Sequence, residues 1–362
     1  MAQLGQKRGG QKREGQKREL IFIWVQLDCR NRSSFSVWTR SPSMAYRFKL
    51  SEPFDEGVRR IGLQQIDRAV GQLQSSEDQA LAIHTTRKGL KRIRALLRLV
   101  RPGLGEELYR TENVRYRDVG RLLASARDSH VVMETVSKLE TEAIGRTKSA
   151  FAAARSRLSE SSAGSAHAQN SVVAQALSAL EEGRAAMAEL PIDGGDIEIV
   201  GQGLERAYRQ GERAFAVAYN TLDNDDIHEW RKRVQYHWRH MALLTAAWPE
   251  LLEARIATAR QLSSLLGEDH DIAVMLATLR AQSGTGIAKH VTGAKVVGRC
   301  EVAHLTASQR RLTEAFAVER QAALRRVGKK LGTRLFAESA GAFRQRIEVY
   351  WASAVAGSEM DE

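Results

Sequence analysis

The chain has 362 residues, 43% hydrophobic and 27% charged, enough apolar surface for a substantial core and too much for wholesale disorder. Five prolines and 6% aromatics argue against a β-sandwich and for helices, and two cysteines, Cys29 and Cys300, exclude a disulfide framework. The 55 Lys+Arg against 43 Asp+Glu leave +12, which points to a polyanionic partner if the cations are gathered in one place.

Residues 1–43 differ from everything after them. QKR recurs at 6–8, 11–13 and 16–18, followed by the apolar run Leu20–Leu27. That run is too short to span a bilayer and ends at Asp28-Cys29-Arg30 without a small-residue cleavage site, so it reads neither as an anchor nor as an export signal. Residues 1–43 are expected to be a non-native or disordered basic leader, with the native chain opening at Met44 and a capped helix led by Ser51, Glu52 and Pro53. The leader holds nine basic and three acidic residues, the remainder 46 and 40, so each contributes +6. The cysteine count suits a reducing cytoplasm, the expected location.

From residue 51 the apolar spacing is of the 3.6-residue type, and no alternating strand stands out. Helices are predicted over 53–75, 77–101, 104–127, 129–158, 170–189, 197–221, 225–247, 249–266, 269–282 and 306–352, the last broken near Gly328–Gly332. The breakers include Arg101-Pro102-Gly103, 159–170, Pro191 to Gly195, Trp248-Pro249, Gly267 and Ser283 to Gly286.

The chain also repeats. IHTTRKGLKRIRALLRL (83–99) lines up with IHEWRKRVQYHWRHMAL (227–243), and 117–133 lines up with 260–275. Residues 57–73 resemble 203–217. Two copies of one four-helix unit follow, antiparallel because the connections are short. The expected organisation is a first repeat over 44–158, a linker with a connecting helix over 159–195, a second repeat over 196–352, and a tail over 353–362.

On a helix, His84, Arg87, Lys88, Lys91, Arg94 and Arg98 fall within about half the circumference, opposite Leu90, Ile93, Leu96, Leu97 and Val100. From Gln79 to Gly105 there are seven Lys/Arg and no acid. A solvated helix normally mixes signs, because like charges one turn apart repel. The bland reading is a solvated face neutralised by acids on neighbouring helices; the sharper one is an anion-binding face. In the second copy His228, Arg231, Lys232 and Arg239 share a face, with Gln235 in the place of Lys91 and Ala242 in that of Arg98. The opposite stripe is Trp230, Val234, His237, Met241, Leu244 and Trp248, read as core, with His237 packed there on one hydrogen bond. Arg117 and Arg121 lie on one side of the following helix, Arg260 matches Arg117, and Arg206 stands on the first helix of the second copy. Two such basic faces directed at a common groove describe a channel for a phosphate chain, in which His84 and His228, with raised pKa values among phosphates, can donate from both ring nitrogens.

At these residues the chain resembles the conserved histidine α-helical (CHAD) domain family. The matching text is His84-x-x-Arg87-Lys88-x-x-Lys91-x-x-Arg94 with its echo at His228, Arg231 and Lys232. Arg117, Arg121, the Ala126-Arg127-Asp128 run, LGEDHD (266–271), the Gly203-Leu204 helix start and LGTRLFAESAGAF (331–343) also match. The resemblance covers about 45–352. It implies an all-α fold of two pseudo-symmetric antiparallel four-helix bundles, with a basic central groove for inorganic polyphosphate. Gln235, Ala242 and Ser264 depart from the pattern, which bears on how evenly the halves share the ligand. The Glu-x-Glu-x-Lys mark of a triphosphate tunnel domain, a frequent neighbour, is absent, so a stand-alone binding module is expected.

Catalysis finds little support. Residues 268–271 (Glu-Asp-His-Asp) read as a helix end at Gly267 and a new start at Asp269 or Asp271 rather than a metal cluster. Gly201-x-Gly203 has no preceding strand, and no Gly-rich phosphate loop or nucleophile–base pattern occurs. Hence no enzyme, cofactor, metal or membrane is expected. The expected function is non-catalytic polyphosphate binding, with recruitment to polyphosphate granules. Nucleic-acid binding is the rival, since phosphate affinity is the same physics, but the aromatics read as core rather than interleaved with cations. An accessory role in processing a phosphate polymer is a second alternative.

Overall fold

The computed structural model describes residues 46–76, 78–124, 128–159, 166–282 and 305–360. The expected leader, Ala126-Arg127, the break expected at 283–286 and residues 160–165 of the break expected at 159–170 lie outside them, while Ser159 and residues 166–170 of that break are helical. Every regular element in the described residues is a helix: α1 (Phe54–Ser75), α2 (Gln79–Leu99), α3 (Arg101–Leu104), α4 (Glu106–Leu122), α5 (Asp128–Glu142), α6 (Gly145–Ser159), α7 (Ala166–Ala188), α8 (Ile197–Thr221), α9 (Asn224–Leu243), a 3₁₀ turn (Thr245–Ala247), α10 (Pro249–Gln282), α11 (Ala307–Leu335) and α12 (Ala340–Met360). The fold is all-α. Among the described residues no helix is long and apolar enough to cross a membrane.

Local chemistry sets several helix starts. Asp78 caps α2, accepting from the Leu81 amide at 3.0 Å, and Asp223 caps α9, accepting from Asp225 at 2.8 Å. Thr306 and Gln309 form a reciprocal capping box at α11. The α1 start is a correction. Pro53 offers no side-chain cap, and Glu52 instead accepts from the Lys49 amide at 2.9 Å and from Arg60 Nε at 2.8 Å.

Three expected helix boundaries also move. The helix expected over 129–158 divides at Ala143 and Ile144, where Gly145 takes φ +55° and lets α6 fold back on α5. The two helices expected over 249–282 are one. Gly267 is interior and buried, and a Cβ there meets Arg231 Nη2 at 3.1 Å. The expected break near Gly328–Gly332 falls instead after Leu335. Both glycines stay helical because neighbours lie close: a Cβ on Gly332 meets Phe215 and Trp230 at 2.7 Å.

The largest core gathers Ile61, Leu90, Leu96, Tyr116 and Leu180 from the first half with Leu204, Met241, Phe343 and Trp351 from the second. The helix read as a connector, α7, packs against α1 and α4. A second cluster joins α5 and α6 to the C-terminal part of α10 and to α11, through Val136, Phe151, Met275 and Ala317. A third fills the space among α8, α9 and α10 around Trp230 and Val234. Helix α8 passes so near the end of α2 that a Cβ on Gly203 falls 1.6 Å from the Leu99 carbonyl oxygen.

Candidate functional site

The basic side of α2 is laid along α4. Arg87 Nη1 donates to the Gly120 carbonyl, Arg94 Nε donates to Asn113 Oδ1 at 3.0 Å, and the Arg98 guanidinium lies 5.8 Å from the Tyr109 ring centre. This order runs opposite along the two helices, so one antiparallel pairing positions all three arginines. Lys88 and Lys91 are exposed; His84, Arg87, Arg94 and Arg98 are half-buried. On α4, Arg117 and Arg121 share Asp118, at 2.8 and 3.7 Å. The hydrogen bond from Arg117, with the charges of Arg121 and Arg94, holds the Asp118 carboxyl below its usual range. Some neutralisation by a neighbouring helix is therefore present.

Helix α9 carries the second copy. The His228 ring stacks on His270 of α10, centres 4.0 Å apart, and its Nδ1 is buried with no hydrogen-bond partner. Burial, then the charges of Lys232, Arg231 and Lys91, push its pKa down to about 4. Within the protein's own charges the ring is therefore held neutral at pH 7, and the raised pKa expected of it belongs to a phosphate-bound ring. Lys232 pairs with Glu229 at 3.0 Å. Arg231 turns toward Gly267 and feels Asp271 and Asp269. Arg239 is buried, donating Nη1 to the Gln235 carbonyl at 2.7 Å and lying 4.3 Å from the Trp238 ring centre, with Arg260 4.9 Å from the same ring. Arg206 is exposed on α8 and, after Arg101, helps hold the Glu106 carboxyl low.

The two copies meet through charge. Lys91 of α2 reaches His228 of α9. Arg98 lies 4.3 Å from the Tyr236 ring centre, and Arg98 and Arg94 both act on its hydroxyl. His240 Nε2 lies 2.9 Å from the Ala95 carbonyl oxygen, which fixes the N–H on Nε2. On the Tyr46 side, Arg92 joins Arg239 and Arg260.

Sequence reasoning missed Arg92, Tyr236, Trp238 and His270 as members of this region. The placement of aromatics on the core side is corrected here: Tyr109, Tyr236 and Trp238 lie among arginines. The available signal was spacing, since Tyr236 stands one turn after Lys232. Trp248, assigned to the core stripe, is 45% exposed and meets Tyr350 edge-on at 4.9 Å, because α9 ends before it. His237 takes its single bond from Arg255 Nε at 3.0 Å, as expected.

The Glu-Asp-His-Asp run is helical. Asp269 is buried and receives Arg325 Nε at 2.7 Å and Nη2 at 3.1 Å, while Glu268 pairs with Lys138 at 2.6 Å. Among the described residues no three His, Cys, Asp or Glu side chains are grouped to hold a metal.

No curated protein matches the chain. A family model for the CHAD domain matches residues 63–280, which include both histidine helices and the Glu-Asp-His-Asp segment. With that match over more than half of its length, and with paired basic helices on an all-α frame, the chain belongs to the CHAD domain family.

Proposed function

We propose that this CHAD-domain protein binds inorganic polyphosphate, without catalysis, in a basic groove between α2 and α9. The observation that carries the reading is that cations from both copies of the repeat act at one place: Lys91, Arg231 and Lys232 on His228, and Arg94 and Arg98 on Tyr236. A row of cations on one helix is a surface; cations of two helices acting on the same side chains favour a linear polyanion between them. Two bundles related by pseudo-symmetry belong to the same reading. In support, α1 packs on α2 and α7 as α8 packs on α9 and α12, and α2 packs on α4 as α9 packs on α10. The proposed setting is the cytoplasm, with recruitment to polyphosphate granules.

Nucleic acid is the second reading, favoured by the rings of Tyr236 and Trp238 beside arginines. Both rings are half-buried, which leaves little face for base stacking. The deciding experiment is competition of long-chain polyphosphate against single- and double-stranded DNA at physiological salt, on the full chain and on a form starting at Met44. Polyphosphate is expected to displace DNA, and preference for DNA overturns the reading. Replacing Arg87, Lys88 and Lys91 together by Ala is expected to weaken polyphosphate binding by roughly a hundredfold or more and to flatten its salt dependence. Unchanged affinity in that variant, with loss on removal of residues 1–43, would assign the binding to the leader instead.

A further inference from the structure

We propose that the cavity between the strap at residues 46–51 and the end of α12 binds an amphipathic monoanion, an apolar chain bearing one carboxylate. The proposal goes beyond the groove reading: no residue lining this cavity lies on α2, α4, α8, α9 or α10, and its ligand is of another chemical class.

The cavity measures about 600 Å³, within the roughly 300–1,000 Å³ usual for small-molecule sites. Its apolar side chains are Phe48, Leu50, Ala246 and Val355. Phe48 packs edge-on against Phe54, ring centres 4.9 Å apart, and Phe54 meets Trp351 at the same distance, which makes the floor aromatic and stiff. Leu50, Ala246 and Val355 are only half-buried, so a ligand has apolar surface left to cover.

The strap is held in place without a ligand. The Phe48 N–H donates to the Leu243 carbonyl at 2.9 Å, the Arg47 carbonyl accepts from Arg60 Nη2 at 3.0 Å, and the Lys49 N–H donates to Glu52 Oε1 at 2.9 Å. Side chains alternate along it: Tyr46 and Phe48 are buried, Arg47 is half-buried and Lys49 is exposed. A wall already ordered lowers the entropic cost of binding.

Charge selects the ligand. Arg47 and Lys49 both line the cavity, and among the described residues neither is in an ion pair. Glu52, on which the Lys49 charge acts, is taken by Arg60. Against the two cations stand Glu359, also in the lining, and the free carbonyls of the last turn of α12, which carry partial negative charge. The result is a weakly positive mouth over an apolar floor. A single carboxylate matches it. A multiply charged phosphate meets the acid and the helix end, and a cationic head meets two cations.

The test titrates the full chain with dodecanoate below its micelle-forming concentration, by calorimetry at constant ionic strength. Acetate serves as the bare head group and dodecyltrimethylammonium as the charge-reversed chain. Saturable binding of one dodecanoate per chain is expected, with neither control binding. Arg47→Gln combined with Lys49→Gln is expected to weaken it roughly tenfold, and Ala246→Phe, which fills the cavity, to abolish it. Neither Arg47 nor Lys49 is buried, so the double variant keeps the test readable if Ala246→Phe does not fold. The exposed control Arg311→Gln and added tripolyphosphate are expected to leave dodecanoate affinity unchanged. No saturable binding, equal binding of the ammonium chain, wild-type affinity in the double variant, or displacement by tripolyphosphate overturns the site.

Discussion

His237 and His240 stand three residues apart on α9 and are both buried, yet each is satisfied differently. One accepts from Arg255 Nε; the other donates to the Ala95 carbonyl across to α2. The first arrangement needs a neutral ring, whereas in the second it is burial, not the hydrogen bond, that keeps the ring neutral. Burial, followed by the charge of Arg255, holds His237 well below 6.5, and burial brings His240 to about 3. Below pH 6.5 the unfolded chain therefore binds protons that the folded chain does not, and stability falls as pH drops through 6.5 toward 3. Each buried histidine contributes a loss of up to about 1.4 kcal/mol per pH unit in that window. Urea unfolding at pH 7, 6 and 5 should show a falling midpoint; a flat one contradicts the assignment. That His237 packs in an apolar stripe was legible from spacing alone, whereas the identity of its donor, on the next helix, was not.

At the scale of elements, close approach and buried charge make sharper demands than propensity. Helix α8 runs past the end of α2 with only Gly203 between the backbones, so Gly203→Ala should lower stability by about 3 kcal/mol, read as a drop in thermal midpoint. The single long helix α10 carries Asp269 inward to Arg325 of α11. Burial raises the Asp269 pKa even with that partner beside it. Arg325→Ala leaves a buried carboxylate uncompensated and should cost about 3–5 kcal/mol, much of it recovered in the double variant with Asp269→Asn. Additive losses would show that the pair is not the source. Here the sequence misled, since a glycine followed by acids looks like the end of one helix and the start of another. Packing of the Arg231 guanidinium on Gly267 is a long-range fact, and it offsets the cost of roughly 1 kcal/mol for glycine inside a helix.

Over the whole molecule, segments distant in sequence share cores. Phe151 of α6 meets Phe316 of α11, ring centres 5.8 Å apart, in the cluster that also holds Val136 and Met275. Phe151→Ala should cost about 3–5 kcal/mol. Hydrogen exchange should then rise in α5, α11 and the end of α10 before it rises in α1 and α2, which belong to the other core; uniform loss of protection would argue against separate clusters. The net charge is a poor guide at this scale. Half of the +12 lies in residues 1–43, and the remainder is a small difference between large numbers. Segregation matters more: α2 holds no acid, and its cations act on side chains of α9.

The sequence by itself determined the helical class, the repeat, the family and the concentration of cations on two helices, because each is written in spacing along one segment. Only the tertiary structure decided which arginines stay near water and which turn inward. Arg94 and Arg239 have the same chemistry in the text. One is half-buried against Asn113; the other is buried against Trp238 with its Nε unmatched. The difference lies in which helix packs over each face. Burial and partner set the energy of a charge, and both depend on residues far away in sequence.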